Sequence, residues 1–139
     1  MIDPVANTPA RRAPASLPQG GAILVLLVLS AMAVLLSPPL LMPASYSWVS
    51  HSVSESAAQG LPGAWLTRTG FLLWGSGVLW LASLARETWG RWGSLSLGAW
   101  GTLMIAAAAY SHAPWQGGVP SDSFEDLLHS AAASGMARP

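Results

Sequence analysis

Residues 21–42 are 22 consecutive residues without a charge, Gly-Ala-Ile-Leu-Val-Leu-Leu-Val-Leu-Ser onward to Leu-Leu-Met. At 1.5 Å of rise per residue, a helix of about 20 apolar residues matches the hydrocarbon core of a bilayer. The run is longer than the roughly 7–15 residues of a signal-peptide core, and its end, Ser37-Pro38-Pro39-Leu40-Leu41-Met42-Pro43, is not a small-residue cleavage site. It reads as a first transmembrane helix that Pro38-Pro39 should kink or end near Ser37.

The rest of the chain is written in the same solvent. Charged residues are 9% of the 139, against roughly 25% in ordinary globular domains. There is no lysine, and the six cations are Arg11, Arg12, Arg68, Arg86, Arg91 and Arg138. A net charge of zero excludes a nucleic-acid partner, which needs a concentrated basic surface. The absence of cysteine excludes disulfides and thiolate metal sites.

Residues 1–20, with prolines at 4, 9, 14 and 18, form a disordered cytoplasmic leader. Residues 21–139 form a helical domain, and the expected fold is an all-α polytopic transmembrane bundle. Its spans are 21–42, 64–85 and 94–111, with 86–93 as a loop and 123–137 as the start of a fourth helix. Gly70, Gly75 and Gly77 are small residues at which another helix can approach. Ser123 with Asp126 fits an acidic capping box, and Glu125 and Asp126 suit the first-turn dipole. Trp48, Trp65, Trp89, Trp92 and Trp115 fall at span boundaries and read as interfacial anchors. Trp74, Trp80 and Trp100 fall within spans and read as packing residues.

Arginines set the orientation. Arg11 and Arg12 precede the first span and Arg86 and Arg91 lie between the second and third, whereas 43–63 and 112–122 carry none. The positive-inside rule puts the N-terminus and the 86–93 loop in the cytoplasm and both polar intervals outside. The expected location is a multi-pass protein of the bacterial inner membrane.

Two stretches resemble a known family. Ser52-Val-Ser-Glu55-Ser-Ala-Ala-Gln-Gly60, followed by Arg68-Thr-Gly70-Phe-Leu-Leu-Trp-Gly75, is similar to an "ISELGA-x-G … R-x-GF-x-x-x-G" pattern after a first helix. Val119-Pro120-Ser-Asp122 with Leu128-His129-Ser-Ala-Ala-Ala is similar to "FP-x-D … LH-x-x-A-A" before a fourth. Both stretches are similar to the uncharacterised prokaryotic membrane family called domain of unknown function 998. The chain departs from the pattern just after Glu55 and at Gly118-Val119. The resemblance implies six helices, of which this sequence carries three and the approach to a fourth. A fragment, a truncated product or a second chain supplying the remainder is the expectation.

The candidate catalytic residues are Glu55, Asp122 and His129, and the candidate metal ligands are His51, Glu55, Glu125 and His129. His51 and Glu55 are four apart, as are Glu125 and His129, so each pair shares a face if helical. Asp122, Asp126 and His129 extend the second set. Imidazole and carboxylate from converging helices make a ligand set for a divalent metal, or a general acid/base pair acting on a lipid headgroup, with Ser52 or Ser54 as nucleophile. Beside this stands a purely structural reading. Asp122 caps a turn, Glu125 and Asp126 answer a helix dipole, and His129 bonds a neighbouring helix. Glu55 pairs with Arg68, and His51 and His112 are structural.

Three functions compete. The first is a non-enzymatic structural or accessory membrane component touching lipid, a second copy or a partner subunit. The second is an enzyme or metal site at the outer leaflet. The third, weaker because no span carries a charge at mid-depth, is part of a transporter.

Overall fold

The computed structural model describes residues 17–137, with the side chains of residues 17 and 18 outside that description. Residues 1–16 of the leader assigned to 1–20 lie outside it too. The order is α1 (Leu17–Leu41), a short 3₁₀ turn (Ser54–Ala57), α2 (Ala64–Ala109) and α3 (Ser123–Ala137), with no strand among the described residues. The fold is all-helical.

α1 begins at Leu17, so helix reaches four residues back from the uncharged run into the segment assigned to the leader. It then continues through Pro38 and Pro39 to Leu41, past the break expected at Ser37. Tertiary anchoring explains the difference. The buried Ser37 hydroxyl donates to the Gly63 carbonyl at 3.1 Å, and the Met42 N–H still reaches the Pro38 carbonyl at 3.2 Å. These bonds hold the last turn where proline removes two donors.

α2 is a hairpin of two arms, 64–89 and 91–109, and its one non-helical residue is Gly90 at φ 70°, ψ 176°. The expected eight-residue loop 86–93 is therefore a single-residue reversal. That backbone conformation is essentially reserved for glycine. The arms run antiparallel: Ser94 bonds the Ala82 carbonyl near the turn, Gly75 crosses Gly101 midway, and Arg68 reaches Ala108 and Ala109 at the open end. A Cβ on Gly75 would sit 2.7 Å from the Gly101 carbonyl oxygen, and one on Gly101 would sit 3.0 Å from that of Gly75. Backbone meets backbone there because neither residue has a side chain.

α1 lies along the first arm. Gly70 faces Ala33 and Val34, and Gly77 faces Leu27. The Ser30 hydroxyl donates to the Gly70 carbonyl at 2.7 Å, so this buried polar atom is satisfied. α3 packs back on the second arm, with Gly135 against Leu103.

Among the described residues one helix, Gln19–Leu41, is long and apolar enough to cross a membrane by length and composition. Both arms of α2, expected as the second and third spans, fall below that apolarity because Gly, Ser, Thr and Trp dilute their aliphatic residues.

Candidate functional site

The connections 42–63 and 110–122 meet at the end of the bundle away from Gly90. Gln59 joins them through four hydrogen bonds. Its backbone N–H donates to the His112 carbonyl at 2.9 Å, and its Nε2 donates to the carbonyls of Ser111 at 3.1 Å and Asp122 at 2.9 Å. Its Oε1 accepts the Asp122 N–H at 2.6 Å. Gly60, at φ 72°, follows at once and leaves room for Val119. Beneath the clamp, Ala58, Leu61 and Ala64 are buried against Met42 and Trp115. Gln59 was not among the candidates. The only signal for it is that it is the sole amide in the first polar interval.

Glu55 belongs to a capping box of its own. The Ser52 N–H donates to Glu55 Oε2, and the Glu55 N–H donates to the Ser52 hydroxyl at 3.3 Å. Burial would push the Glu55 carboxyl up. The hydrogen bonds from the Ser52 N–H and hydroxyl, with the nearby His51 and His112, outweigh it and hold the carboxyl below its ordinary range. This box was not among the expected features, although the spacing Ser52-x-x-Glu55 carries its signal. Next to it the buried Ser56 and Thr67 hydroxyls share a bond of 3.0 Å, tying the 3₁₀ turn to α2.

Arg68 takes a different partner from the one expected. Its Nε donates to the Ala108 carbonyl at 2.9 Å and its Nη2 to Ala109 at 2.8 Å, and among the described residues the carboxylate beside it is that of Glu125, at 3.9 Å. A guanidinium at a helix C-terminus satisfies the last carbonyls and opposes the dipole. That position draws Arg68 toward α2 and α3 and away from Glu55.

Asp122 is the N-cap of α3. Its Oδ1 accepts the N–H groups of Phe124 at 2.8 Å and Glu125 at 3.3 Å. The cap thus lies one residue before the expected Ser123. Asp126 turns instead to the Ala113 N–H at 2.7 Å and Glu125 to the Ser111 N–H at 3.0 Å. His129 is 1% exposed. Its Nδ1 lies 3.1 Å from the Ala107 carbonyl and 2.9 Å from that of Tyr110. Carbonyls only accept, so Nδ1 carries the proton and donates, and Nε2 is buried without a partner. The His112 ring stands edge-on to it at 5.5 Å.

His51 lies elsewhere in the cap, stacked on Tyr46 at 5.4 Å and tilted against Trp115 at 4.8 Å. The Ser47 N–H donates to its Nδ1 at 3.1 Å. Trp115 is thus part of an internal aromatic cluster, whereas Trp48, Trp65, Trp89 and Trp92 are exposed at the two ends. Trp80 is 37% exposed, while Trp74 and Trp100 pair at 6.3 Å.

The structure therefore joins His112, His129, Glu125, Asp126 and Arg68 around the start of α3. It assigns His51 to the aromatic cluster and Glu55 to the cap of the 3₁₀ turn. Among the described residues no group of three or more His, Asp or Glu side chains is arranged to hold a metal ion.

The family described as protein of unknown function (DUF998) matches residues 24–137, from within α1 to the last turn of α3. The chain belongs to the DUF998 family. No curated protein and no solved structure matches it. Every residue of the cap lies inside the DUF998 match, so the clamp at Gln59 and the caps at Glu55 and Asp122 are built within the family's own segment.

Proposed function

We infer that the protein is a multi-pass membrane protein of the bacterial inner membrane and acts there as a structural or accessory component. Its N-terminus and Gly90 turn face the cytoplasm, and the Gln59-clamped cap faces outward, toward lipid headgroups or a partner. The observation that carries this reading is the bare surface of α1. Only 17% of its most apolar stretch is buried, and Leu24, Leu35 and Leu40 are each more than 60% exposed. A core helix of a water-soluble domain would be covered, and an uncovered apolar face of that length is a membrane or interaction surface. Contacts of Gly70 and Gly77 with α1 favour a retained helix over a cleaved leader, which would leave that face of α2 open. Exposed tryptophans at both ends suit the two interfaces of a bilayer.

The non-catalytic reading is favoured over an enzyme or metal site at Glu55, Asp122 and His129 by what those groups already do. Each is engaged with backbone groups that a helix end or turn would otherwise leave unpaired. Alkaline carbonate extraction should leave the protein in the membrane pellet. Alanine at Glu55 or His129 should leave metal content and cellular lipid composition unchanged. Release into the soluble fraction would end the membrane reading, and stoichiometric metal lost in either variant would install the enzyme reading instead.

A further inference from the structure

We propose that the groove between the open ends of the α2 arms is a binding site for one anionic phospholipid, with the phosphate at Arg68 and an acyl chain lying along Leu72 and Ile105. The site rests on the membrane reading and adds a ligand to it. The groove has a volume of about 380 Å³, and its walls are Trp65, Arg68, Thr69, Leu72, Ile105 and the alanines at 108 and 109. Its chemistry is graded along the helix axis. At the mouth stand Trp65, 61% exposed, and the Arg68 guanidinium. One turn deeper the wall is hydrocarbon. The Thr69 hydroxyl adds no polarity, because it donates to the Trp65 carbonyl at 2.8 Å.

Arg68 is positioned for an additional anion. Its bonds to the Ala108 and Ala109 carbonyls fix the guanidinium plane but leave its charge in place, since carbonyls carry none. Among the described residues the carboxylate beside it, Glu125 Oε1, is at 3.9 Å and already accepts the Ser111 N–H at 3.0 Å. A phosphate oxygen would make a shorter, charge-assisted pair with the guanidinium fork. A second groove of about 360 Å³, lined by Ser30, Val34, Phe71, Trp74 and Trp100 among others, presents no polar surface. It lacks a cation, so it has no counterpart for the phosphate.

The test is native mass spectrometry of the full chain in a mild detergent, titrated with phosphatidylglycerol and phosphatidylcholine of identical acyl chains. The expected result is one phosphatidylglycerol per chain, retained about tenfold more strongly than phosphatidylcholine, whose choline cation cancels the charge of the same phosphate; that is the scale of one uncompensated charge beside a partly exposed guanidinium. Arg68→Gln should abolish that preference. Leu72→Trp, which fills the groove and leaves the Arg68 bonds to helix carbonyls untouched, should weaken retention of both lipids, and it decides the matter if Arg68→Gln does not fold. Equal retention of the two lipids by the wild type, or undiminished retention by Leu72→Trp, would overturn the site. So would displacement by inorganic phosphate, which would mark a simple anion site, or a dimer that excludes lipid, which would mean a second copy fills the groove. Failure of the membrane reading shows itself separately, as carbonate release. Failure of this site alone leaves a membrane-embedded protein without lipid preference.

Discussion

Glu55 and Gln59 sit four residues apart and serve different purposes, one local and one long-range. Glu55 closes the Ser52–Glu55 box, and its carboxyl is held below its ordinary value of 4.5. A folded value below the unfolded one means the unfolded chain takes up the proton first as pH falls. The cap's contribution is complete above 4.5 and is lost as pH drops through the lower folded value. An NMR titration of the Glu55 carboxyl carbon should give a midpoint below 4.5; a midpoint above it would mean the box does not form. Gln59→Ala should cost about 1–3 kcal/mol, since it leaves backbone groups of Ser111 and Asp122 without their partner. Gln59→Glu, nearly the same shape, should cost no less, because a carboxylate accepts but cannot donate to two carbonyls. Thermal unfolding in detergent measures both. A Glu variant as stable as wild type would remove the clamp.

At the scale of elements, α2 depends on two glycines for opposite reasons. A Cβ on Gly90 would meet nothing within 4 Å, but its φ of 70° excludes other residues. Gly90→Ala should therefore cost about 1–3 kcal/mol through backbone strain alone. Gly75 has an ordinary helical backbone and no room, with Ile105 at 2.6 Å and the Gly101 oxygen at 2.7 Å. Gly75→Ala should cost about 1–3 kcal/mol through overpacking. Gly98→Ala, where the nearest atom is 4.0 Å away, should cost nothing measurable. Equal effects at 75 and 98 in the same unfolding assay would refute close backbone packing. This is where sequence reading stops. α1 was legible because an uncharged run of that length has few other uses, and Gly70, Gly75 and Gly77 were legible as small contact residues. The length of the turn was not, since Arg86 to Gly93 looks polar and glycine-containing whether one residue or eight leave the helix. Nor could spacing show that Arg68 prefers the carbonyls of Ala108 and Ala109 to Glu55. Both choices satisfy the guanidinium's N–H groups, and only the antiparallel pairing of the arms decides between them.

For the whole molecule, the two ends have opposite characters: a clamped polar cap, and a turn flanked by Arg86, Arg91 and Trp92. The Arg91 guanidinium lies 4.6 Å from the Trp92 ring centre. Because the chain has no cysteine of its own, single introduced thiols report sidedness cleanly. Cysteine at Val49, which is 95% exposed, should react with a membrane-impermeant maleimide in intact cells. Cysteine at Trp92, 70% exposed, should react only after permeabilisation. Labelling of both from the same side would contradict a bundle that crosses the membrane between its cap and its turn. The clamp also imposes an order in time. Its partners at Ser111 and Asp122 lie 52 and 63 residues after Gln59 in the chain. At a synthesis rate of roughly 5–20 residues per second, Gln59 waits on the order of 3–13 s for them to be made. Until then its amide has only water to bond. The cap therefore cannot close before Asp122 has been made, and of the described fold only the packing of α3 on the second arm waits longer.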